Sequence, residues 1–359
     1  MILPNTFSQE WLAHFRQQKE FARVDPAIVE KMIYAFALLE LLANSGLKFI
    51  FKGGTSLVLM PIGSNRFSVD IDISTLESKD DIEKHLQTVI GESVFSSFEE
   101  DKPRTNKGGI PKAHFSFAYV SHINPNAEIL LDVLFEDSPY LSTNQVAIDT
   151  KWINTQEPYK MVTIPSINSI LGDKLTAFAP STVGVPYLLG KPNFPDKRIE
   201  IIKQLYDINH LIDSATNMLE VKSVFEAIAQ RQIEYRNLSI SVETVIADIF
   251  NTALVLVRRE NNKQELEKLQ FNDLSNGLKR FSGYLMKGFF RIEEAITASA
   301  KVAYFTQSIS KNKSESFVLF DEKVNMTEWI ISNPDYNFLN KLKRTNREAF
   351  YYWWKCLEL

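Results

Sequence analysis

The sequence predicts an α+β protein in which a mixed α/β part comes first and a helical part follows it. Strand-like patterns are concentrated before about residue 165, whereas almost all of the later chain has helical periodicity. A chain of 359 residues is also long for one hydrophobic core and suits two domains of ordinary size. We therefore expect an α/β domain over residues 1–165 and a helical domain over residues 166–359.

Composition and charge exclude several classes of protein. Hydrophobic residues make up 45% of the chain and charged residues 23%, which is typical of a globular protein and argues against disorder. With a net charge of −4, the chain could bind nucleic acid only through local basic patches. The single cysteine, Cys356, excludes an internal disulfide and a cysteine-based zinc site. Because the sequence shows neither a signal-peptide pattern nor a membrane-length apolar run, we expect a cytoplasmic protein.

The first clear element is a helix from about Pro26 to Asn44. Asp25 is a good N-cap, proline suits the first helical position, and Gly46 provides a stop signal after the helix. The short apolar run at residues 49–51 then predicts a strand that ends in a glycine turn. The α/β part therefore begins with a buried helix that leads into a strand.

Residues 69–73 alternate strictly between apolar side chains and aspartates. This pattern predicts a strand with Asp70 and Asp72 on one face and the apolar residues on the other. Further strands are expected over residues 114–120 and 128–135. Helices are expected over residues 80–90, 166–178, 196–212, 218–231, 242–259, 274–281, 289–305 and 335–357.

The aspartate pair and the preceding glycine turn together predict a nucleotide site. Two carboxylates on one strand face repel each other unless one is protonated or a cation lies between them. Ligands that are all oxygen favour Mg²⁺ or Mn²⁺ over zinc. In the turn at residues 53–56 (GGTS), backbone N–H groups and hydroxyls could approach phosphate oxygens closely. A nucleoside triphosphate with its metal ions is the ligand that this combination favours.

Asp132 is the candidate for a third carboxylate. It lies inside an otherwise apolar predicted strand, where an unpaired aspartate would be costly to bury. A third ligand would complete a two-metal site, in which the ions stabilise the attacking and leaving oxygens of a displacement. The alternative is a structural aspartate that is bonded to the backbone or to an arginine.

Three motifs resemble, in the same order, those of the AbiEii/AbiGii family of nucleotidyltransferase toxins, in the DNA polymerase β-like superfamily. The first combines residues 51–57 (FKGGTSL) with residues 66–72 (RFSVDID). The second is a lysine-bearing block at residues 172–177 (GDKLTA), and the third is residues 198–211, which contain Tyr-Asp-Ile. The resemblance extends over about residues 28–213, and the order of the three motifs makes it specific.

The resemblance implies a polymerase β-like nucleotidyltransferase domain with a mixed sheet, followed by a helical domain that contributes Lys174 and Asp207 to the active-site cleft. Asp70 and Asp72 would bind the metal ions, and Lys174 would neutralise phosphate charge. Asp207 would orient Lys174 or the acceptor. The implied nucleotide-binding residues are Lys52, Gly53, Gly54, Thr55, Ser56, Arg66 and Lys174.

The implied reaction transfers a nucleoside monophosphate from an NTP onto a hydroxyl with Mg²⁺ or Mn²⁺ as cofactor. By resemblance the chain would be the toxin of a bacterial toxin–antitoxin or abortive-infection system, with a cognate antitoxin as partner. The 3′ end of tRNA, which some relatives modify, is a candidate acceptor. Two alternatives stay open: modification of a protein such as the antitoxin, and an inactive nucleotide- or RNA-binding module.

Each motif residue also has a structural interpretation. The glycines could form an ordinary strand-to-helix turn, and the aspartate pair could line the solvated face of an edge strand. Lys174 could be an amphipathic-helix lysine, and Asp207 could pair with Lys203 one turn earlier.

Two further groups of residues have competing interpretations. His114 and His122 lack the spacing of a zinc site, and we expect them to be structural or on the surface. The basic and aromatic residues of the segment 335–357 could bind unpaired bases, or the rings could be core and the charges solvated.

Overall fold

A computed structural model describes the whole chain except residues 19–20, 22–23, 92, 106–108, 192 and 314–316. The chain forms two compact units, Met1–Ser166 with Gly283–Gly288, and Ile167–Ser282 with Phe289–Leu359. The first boundary lies one residue from the predicted position. The short segment Gly283–Gly288 was expected in the helical part and instead belongs to the first unit.

Backbone pairing explains why this segment joins the first unit. A β-bridge links Leu285 to Arg66. The amide of Phe67 donates to the carbonyl of Tyr284 at 2.8 Å, and the amide of Met286 donates to the carbonyl of Asn65 at 2.8 Å. These long-range bonds leave no trace in local sequence periodicity.

Within its described residues, the first unit contains a seven-stranded mixed sheet. The strands are β1 Ile50–Lys52, β2 Ile71–Thr75, β3 Phe95–Glu100, β4 Lys112–Tyr119, β5 Ala127–Phe135, β6 Thr143–Ala147 and β7 Met161–Pro165. Their order is β3-β4-β5-β2-β1-β7-β6. The pairs β2–β5 and β1–β7 are parallel and the other pairs are antiparallel. The aspartate-bearing strand β2 is central, which excludes the edge-strand interpretation.

Five helices belong to the described part of the first unit. They are α1 Gln9–Gln17, α2 Pro26–Asn44, α3 Gly53–Ser56, α4 Lys79–Gly91 and α5 Lys102–Thr105. Helix α2 has the predicted bounds, and the Asp25 carboxylate accepts a bond from the Ala27 amide at 2.9 Å, as an N-cap does. It is buried along most of its length and packs against β2, β5 and α4. Short 3-10 helices cover Pro4–Phe7 and Leu57–Leu59.

The second unit is helical, as predicted. Its helices are α6 Ile167–Ala177, α7 Arg198–Ile212, α8 Met218–Tyr235, α9 Val242–Arg258, α10 Glu265–Phe281, α11 Ile292–Ser310, α12 Leu342–Thr345 and α13 Arg347–Glu358. Helix α6 packs closely on α8, and a Cβ at Gly172 would lie only 2.8 Å from the carbonyl oxygen of Val221. The glycine of the second motif is therefore required by helix packing. In the described part of the chain, no helix is both long and apolar enough to cross a membrane.

The C-terminal segment differs from its prediction as one helix. A 3-10 helix at Asn337–Lys341 continues into α12, and α13 begins after Asn346, whose side chain accepts from the Ala349 amide at 3.1 Å. An asparagine N-cap thus starts a new helix where periodicity alone suggested continuity.

The aromatic residues of this segment form a hydrophobic core. Tyr351, Tyr352 and Trp353 are only 2%, 1% and 0% exposed, so their rings are not available for stacking on bases. The ammonium of Lys343 donates to the backbone carbonyls of Thr327 and Trp329. The core interpretation of the rings is therefore correct, and the hypothesis of an RNA-stacking surface is wrong for these three side chains.

Cys356 provides a simple test of this packing. The thiol is 3% exposed within the C-terminal core, and burial raises its pKa to about 12. Because the thiolate is the reactive form, we expect almost no labelling by a thiol reagent at pH 8 in the folded protein. In denaturant we expect one labelled thiol per chain, since the sequence has one cysteine. Rapid labelling without denaturant would contradict the packing of α13.

Candidate active site

The sheet register places four polar residues side by side across four neighbouring strands. Lys52 on β1 pairs with Asp72 on β2, Asp72 pairs with Asp132 on β5, and Asp132 pairs with His114 on β4. Directly paired residues project to the same face of a sheet. Lys52, Asp72, Asp132 and His114 therefore form one row, which we call the polar row. The structure brings Asp132 beside Asp72, where the predicted third carboxylate would be needed.

The glycine turn lies against this row. Gly53 has a φ of +75°, and a Cβ at this position would lie 2.0 Å from Oδ2 of Asp72. A side chain here would meet both a conformational penalty and the carboxylate itself. At Gly54 the added Cβ would lie 2.5 Å from Nη2 of Arg66 and 2.7 Å from Oγ of Ser68. Close approach of backbone to the Asp72 carboxylate and the Arg66 guanidinium therefore explains both glycines.

The hydroxyls of the turn have internal partners. Thr55 and Ser56 are both 0% exposed. Thr55 Oγ1 donates to the carbonyl of Asp70 at 2.6 Å, and Ser56 Oγ donates to the carbonyl of Gly53 at 2.9 Å. Both side chains were predicted to contact the nucleotide. In the structure their protons instead hold the turn together and attach it to the start of β2.

Arg66 is likewise buried, although the sequence suggested a contact with phosphate or acceptor. Its side chain lies next to Gly54, and its Nη1 donates to the carbonyl of Phe67 at 3.0 Å. The residue is only 1% exposed. A guanidinium that is buried in this way supports the glycine turn from within the first unit.

The two aspartates of the first motif differ in position. Asp72 lies inside β2 and is half-buried, whereas Asp70 is exposed and precedes the strand. The Asp70 carbonyl is the group that accepts from Thr55. Asp72 is thus fixed by the sheet, and Asp70 lies at the point where the chain enters it.

Asp132 is bonded to a histidine, which sequence reasoning did not anticipate. Nδ1 of His114 lies 2.6 Å from Oδ1 of Asp132. His114 is 7% exposed, so it is not a surface residue. His122 was expected to be structural or on the surface; it is exposed, and its Nε2 lies 3.0 Å from the carbonyl oxygen of Phe7. A polar residue opposite Asp132 could have been found only from the β4–β5 register.

In the second unit, helices α6 and α7 bring the two remaining motif residues together. Nζ of Lys174 lies 2.8 Å from Oδ2 of Asp207, and the two side chains are 6% and 2% exposed. The same ammonium donates to Oε1 of Gln204 at 3.2 Å. Asp207 therefore pairs across the helix interface with Lys174, while Nζ of Lys203 lies 4.0 Å from Oε1 of Glu200. The amphipathic-surface interpretation of Lys174 is wrong.

The donor chemistry of the polar row fits a hard divalent cation. Among the described residues, no group of three or more histidine, cysteine or acidic side chains is arranged to hold a metal ion. The predicted set of Asp70, Asp72 and Asp132 is therefore not preassembled. Magnesium, however, is commonly bound by one or two carboxylates together with substrate phosphates and water. The adjacent carboxylates of Asp72 and Asp132 meet that requirement.

Solved structures offer two distant comparisons. JHP933 from Helicobacter pylori has a TM-score of 0.43 and 15% identity, over 86% of this chain and 95% of that chain. MenT4, a nucleotidyltransferase toxin from Mycobacterium tuberculosis H37Rv, has a TM-score of 0.45 and 12% identity, over 82% of this chain and 99% of that chain. No curated protein matches the chain. At these scores the likenesses decide nothing about function.

The match to a protein family shows the family of this chain, which these structural likenesses do not. The matching family is described as the nucleotidyl transferase AbiEii toxin of type IV toxin–antitoxin systems, and its match covers residues 37–287, more than half of the chain. The matched region contains the polar row, the glycine turn and the Lys174–Asp207 pair. The predicted resemblance is thereby confirmed, and the chain belongs to the AbiEii family of nucleotidyltransferase toxins.

Proposed function

We propose that this nucleotidyltransferase moves a nucleoside monophosphate from an NTP onto an RNA hydroxyl, with the 3′ end of tRNA as acceptor. The acceptor hydroxyl releases its proton to solvent as its oxygen bonds to the α-phosphorus, the bond from that phosphorus to the oxygen of the β-phosphate breaks, and pyrophosphate leaves. The observation that carries the proposal is the pair of adjacent carboxylates, Asp72 and Asp132, with the glycine turn directly against one of them.

Asp72 and Asp132 would hold divalent metal, and Asp70 at the entrance of β2 would supply a further oxygen ligand. A bound Mg²⁺ or Mn²⁺ ion would neutralise charge on the triphosphate and on the attacking and leaving oxygens. The sheet fixes the positions of Asp72 and Asp132 before any ligand arrives, because both lie in paired strands. This preorganisation reduces the cost of bringing the carboxylates together at the moment of reaction.

The glycine turn would present backbone amides to the triphosphate. Gly53 and Gly54 carry no side chain that could shield those amides. Thr55 and Ser56 would contribute indirectly, by holding the turn in shape through their bonds to Asp70 and Gly53. Lys52 at the end of the polar row would contribute a positive charge beside Asp72.

Lys174 would act on the phosphates, and Asp207 would hold its ammonium. The pair is almost completely buried, and such pairs are weak sources of stability because desolvation offsets attraction. The ammonium has three donors, and its contacts with Asp207 and Gln204 restrict its direction. An oriented point charge of this kind could stabilise charge that develops on the leaving pyrophosphate.

The family supplies the biological setting of the proposal. Membership in a type IV toxin family implies a cognate antitoxin. We propose that the antitoxin counteracts the product of this reaction in a bacterial cytoplasm, with or without direct contact. The alternative is transfer of the nucleoside monophosphate onto a protein, and a transfer assay distinguishes it from transfer onto RNA.

A transfer assay tests the proposal directly. Purified protein, total RNA, Mg²⁺ and each labelled NTP in turn should give label in the tRNA band. Asp72→Asn should lower the rate by about 10²–10³-fold, the size expected when one electrostatic stabiliser of the transition state is removed. Asp80→Asn is the matched control, because Asp80 is an exposed aspartate outside the polar row.

Other results of this assay would redirect or end the proposal. Label in protein rather than RNA, once antitoxin is added, would identify a protein acceptor. No transfer of any NTP, with triphosphate still bound, would indicate an inactive binding module. Equal rates for wild type and Asp72→Asn would remove Asp72 from the reaction.

A pair of glycine substitutions tests the contact between turn and carboxylate. Gly53→Ala and Gly63→Ala place alanine at positions with φ of +75° and +64°, but only Gly53 has an atom within 4 Å of the added Cβ. Both variants should be destabilised by about 1–2 kcal/mol through backbone strain. Only Gly53→Ala should also lose activity, by about a hundredfold, because the Asp72 carboxylate must move. Equal activity of the two folded variants would contradict this role.

Variants of the buried Lys174–Asp207 pair should affect the stability of the protein and its transfer activity separately. Lys174→Met or Asp207→Leu alone should each destabilise the protein by about 3–5 kcal/mol, because an uncompensated charge remains buried. The double variant should recover most of that stability while remaining inactive. Urea unfolding and the transfer assay measure the two quantities. A double variant that transfers nucleotide at the normal rate would show that the pair is only structural.

A further inference from the structure

His114 is attached to Asp132 in a way that constrains the carboxylate. The distance of 2.6 Å between Nδ1 and Oδ1 is short for a nitrogen–oxygen hydrogen bond. An ionised carboxylate can only accept, so Nδ1 of His114 carries the proton and donates. One of the roughly four lone-pair positions of the carboxylate is then occupied, and rotation about its terminal bond is restricted.

The histidine is itself held by its backbone. Its amide donates to Oγ1 of Thr105 at 3.0 Å, and its carbonyl accepts from the amide of Asp101 at 2.8 Å. Together with its pairing to Asp132 across β4 and β5, these bonds fix the Cα position on both sides. The imidazole therefore approaches the carboxylate from a fixed point.

The other ring nitrogen argues against a purely structural role. Nε2 of His114 is buried and has no hydrogen-bond partner among the described residues. A buried polar atom without a partner reduces stability. His85 provides a contrast in the same unit, because its Nδ1 lies 3.0 Å from the Ser45 carbonyl oxygen and its Nε2 lies 3.2 Å from Glu77. His114 thus uses only the nitrogen that faces Asp132.

The bond between His114 and Asp132 matters because the Asp72 and Asp132 carboxylates repel each other. Asp72 and Asp132 are directly opposite each other on adjacent strands, and like charges in that position repel. Without a cation between them, the Asp132 side chain would be expected to turn away from Asp72. The donor on the far side of Asp132, at the end of the row, attracts Oδ1 away from Asp72, so it stabilises one orientation of the carboxylate and limits further rotation.

We propose that His114 is a positioning residue that fixes the orientation in which the Asp132 carboxylate binds divalent metal. The inference rests on the proposed function, because it assigns Asp132 a place in the metal site. It adds a role for a residue outside the three family motifs.

Metal affinity is the measurement that tests this role apart from catalysis. Binding of Mn²⁺ would be followed by electron paramagnetic resonance, with a non-hydrolysable α,β-methylene NTP analogue present. His114→Leu should weaken Mn²⁺ binding by roughly 10–100-fold, the usual loss when a partner of a metal ligand is removed. His85→Leu is the matched control and should bind Mn²⁺ like the wild type, because that histidine pairs with a carboxylate outside the polar row.

Two amide variants separate positioning from folding. His114→Asn places a donor near the position of Nδ1, whereas His114→Gln places it near Nε2. We expect His114→Asn to retain most of the Mn²⁺ affinity and His114→Gln to resemble His114→Leu. Both are polar and similar in size, so a difference between them cannot come from a general loss of stability. Equal affinity of the two variants would overturn the proposal.

A double-variant comparison tests whether His114 acts through Asp132. In an Asp132→Asn background, His114→Leu should cause no further loss of Mn²⁺ affinity, because the carboxylate to be positioned is gone. Independent, additive losses would overturn the proposal, as would wild-type affinity of Asp132→Asn alone. The readout does not depend on transfer. If the wild type binds Mn²⁺ but labels no RNA, the proposed function fails while the role of His114 is still decided.

Discussion

Two carboxylates lie side by side on one face of the first unit's sheet, and the residues around them are arranged to accommodate that pair. The register of β2 and β5 places Asp72 opposite Asp132, an arrangement that repulsion disfavours. Gly53 lies so close to Asp72 that a side chain there would displace it. His114 bonds Asp132 from one end of the row, and Lys52 is paired with Asp72 at the other. These contacts fix the surroundings of both carboxylates.

The second unit contains a buried ion pair, in which the Lys174 ammonium contacts the Asp207 carboxylate. Lys174 and Asp207 come from separate helices, and their ion pair exists only because α6 packs on α7. Gly172, two residues before the lysine, permits the close packing of α6 against α8 on which that geometry depends. A buried pair of this kind gives little net stability, and the contacts of the ammonium with Asp207 and Gln204 restrict its direction.

Much of this could be predicted from local pattern. Strict alternation at residues 69–73 was sufficient to put the motif aspartates in or beside a strand, and cap chemistry gave the bounds of α2. The mixed sheet followed by helices is confirmed. Strands β3, β6 and β7 were missed. The sequences of β3 and β6, FSSFEE and TNQVA, are largely polar and lie at the two edges of the sheet, and β7 (MVTIP) is only five residues long. Edge strands expose much of their surface, so they carry a weak hydrophobic signal.

The side-chain partners that sequence reasoning missed share one cause: they depend on contacts between distant segments. Periodicity determines the face on which a side chain lies, but it does not determine the residue opposite. A slip of one residue between β4 and β5 would move His114 to the other face and leave Asp132 without its donor. Burial of Arg66 likewise depends on the glycine turn and on the bridge to Leu285. An isolated aspartate in an apolar strand can therefore reveal that a partner must exist, because burial without one is costly, but only the register identifies the partner as His114.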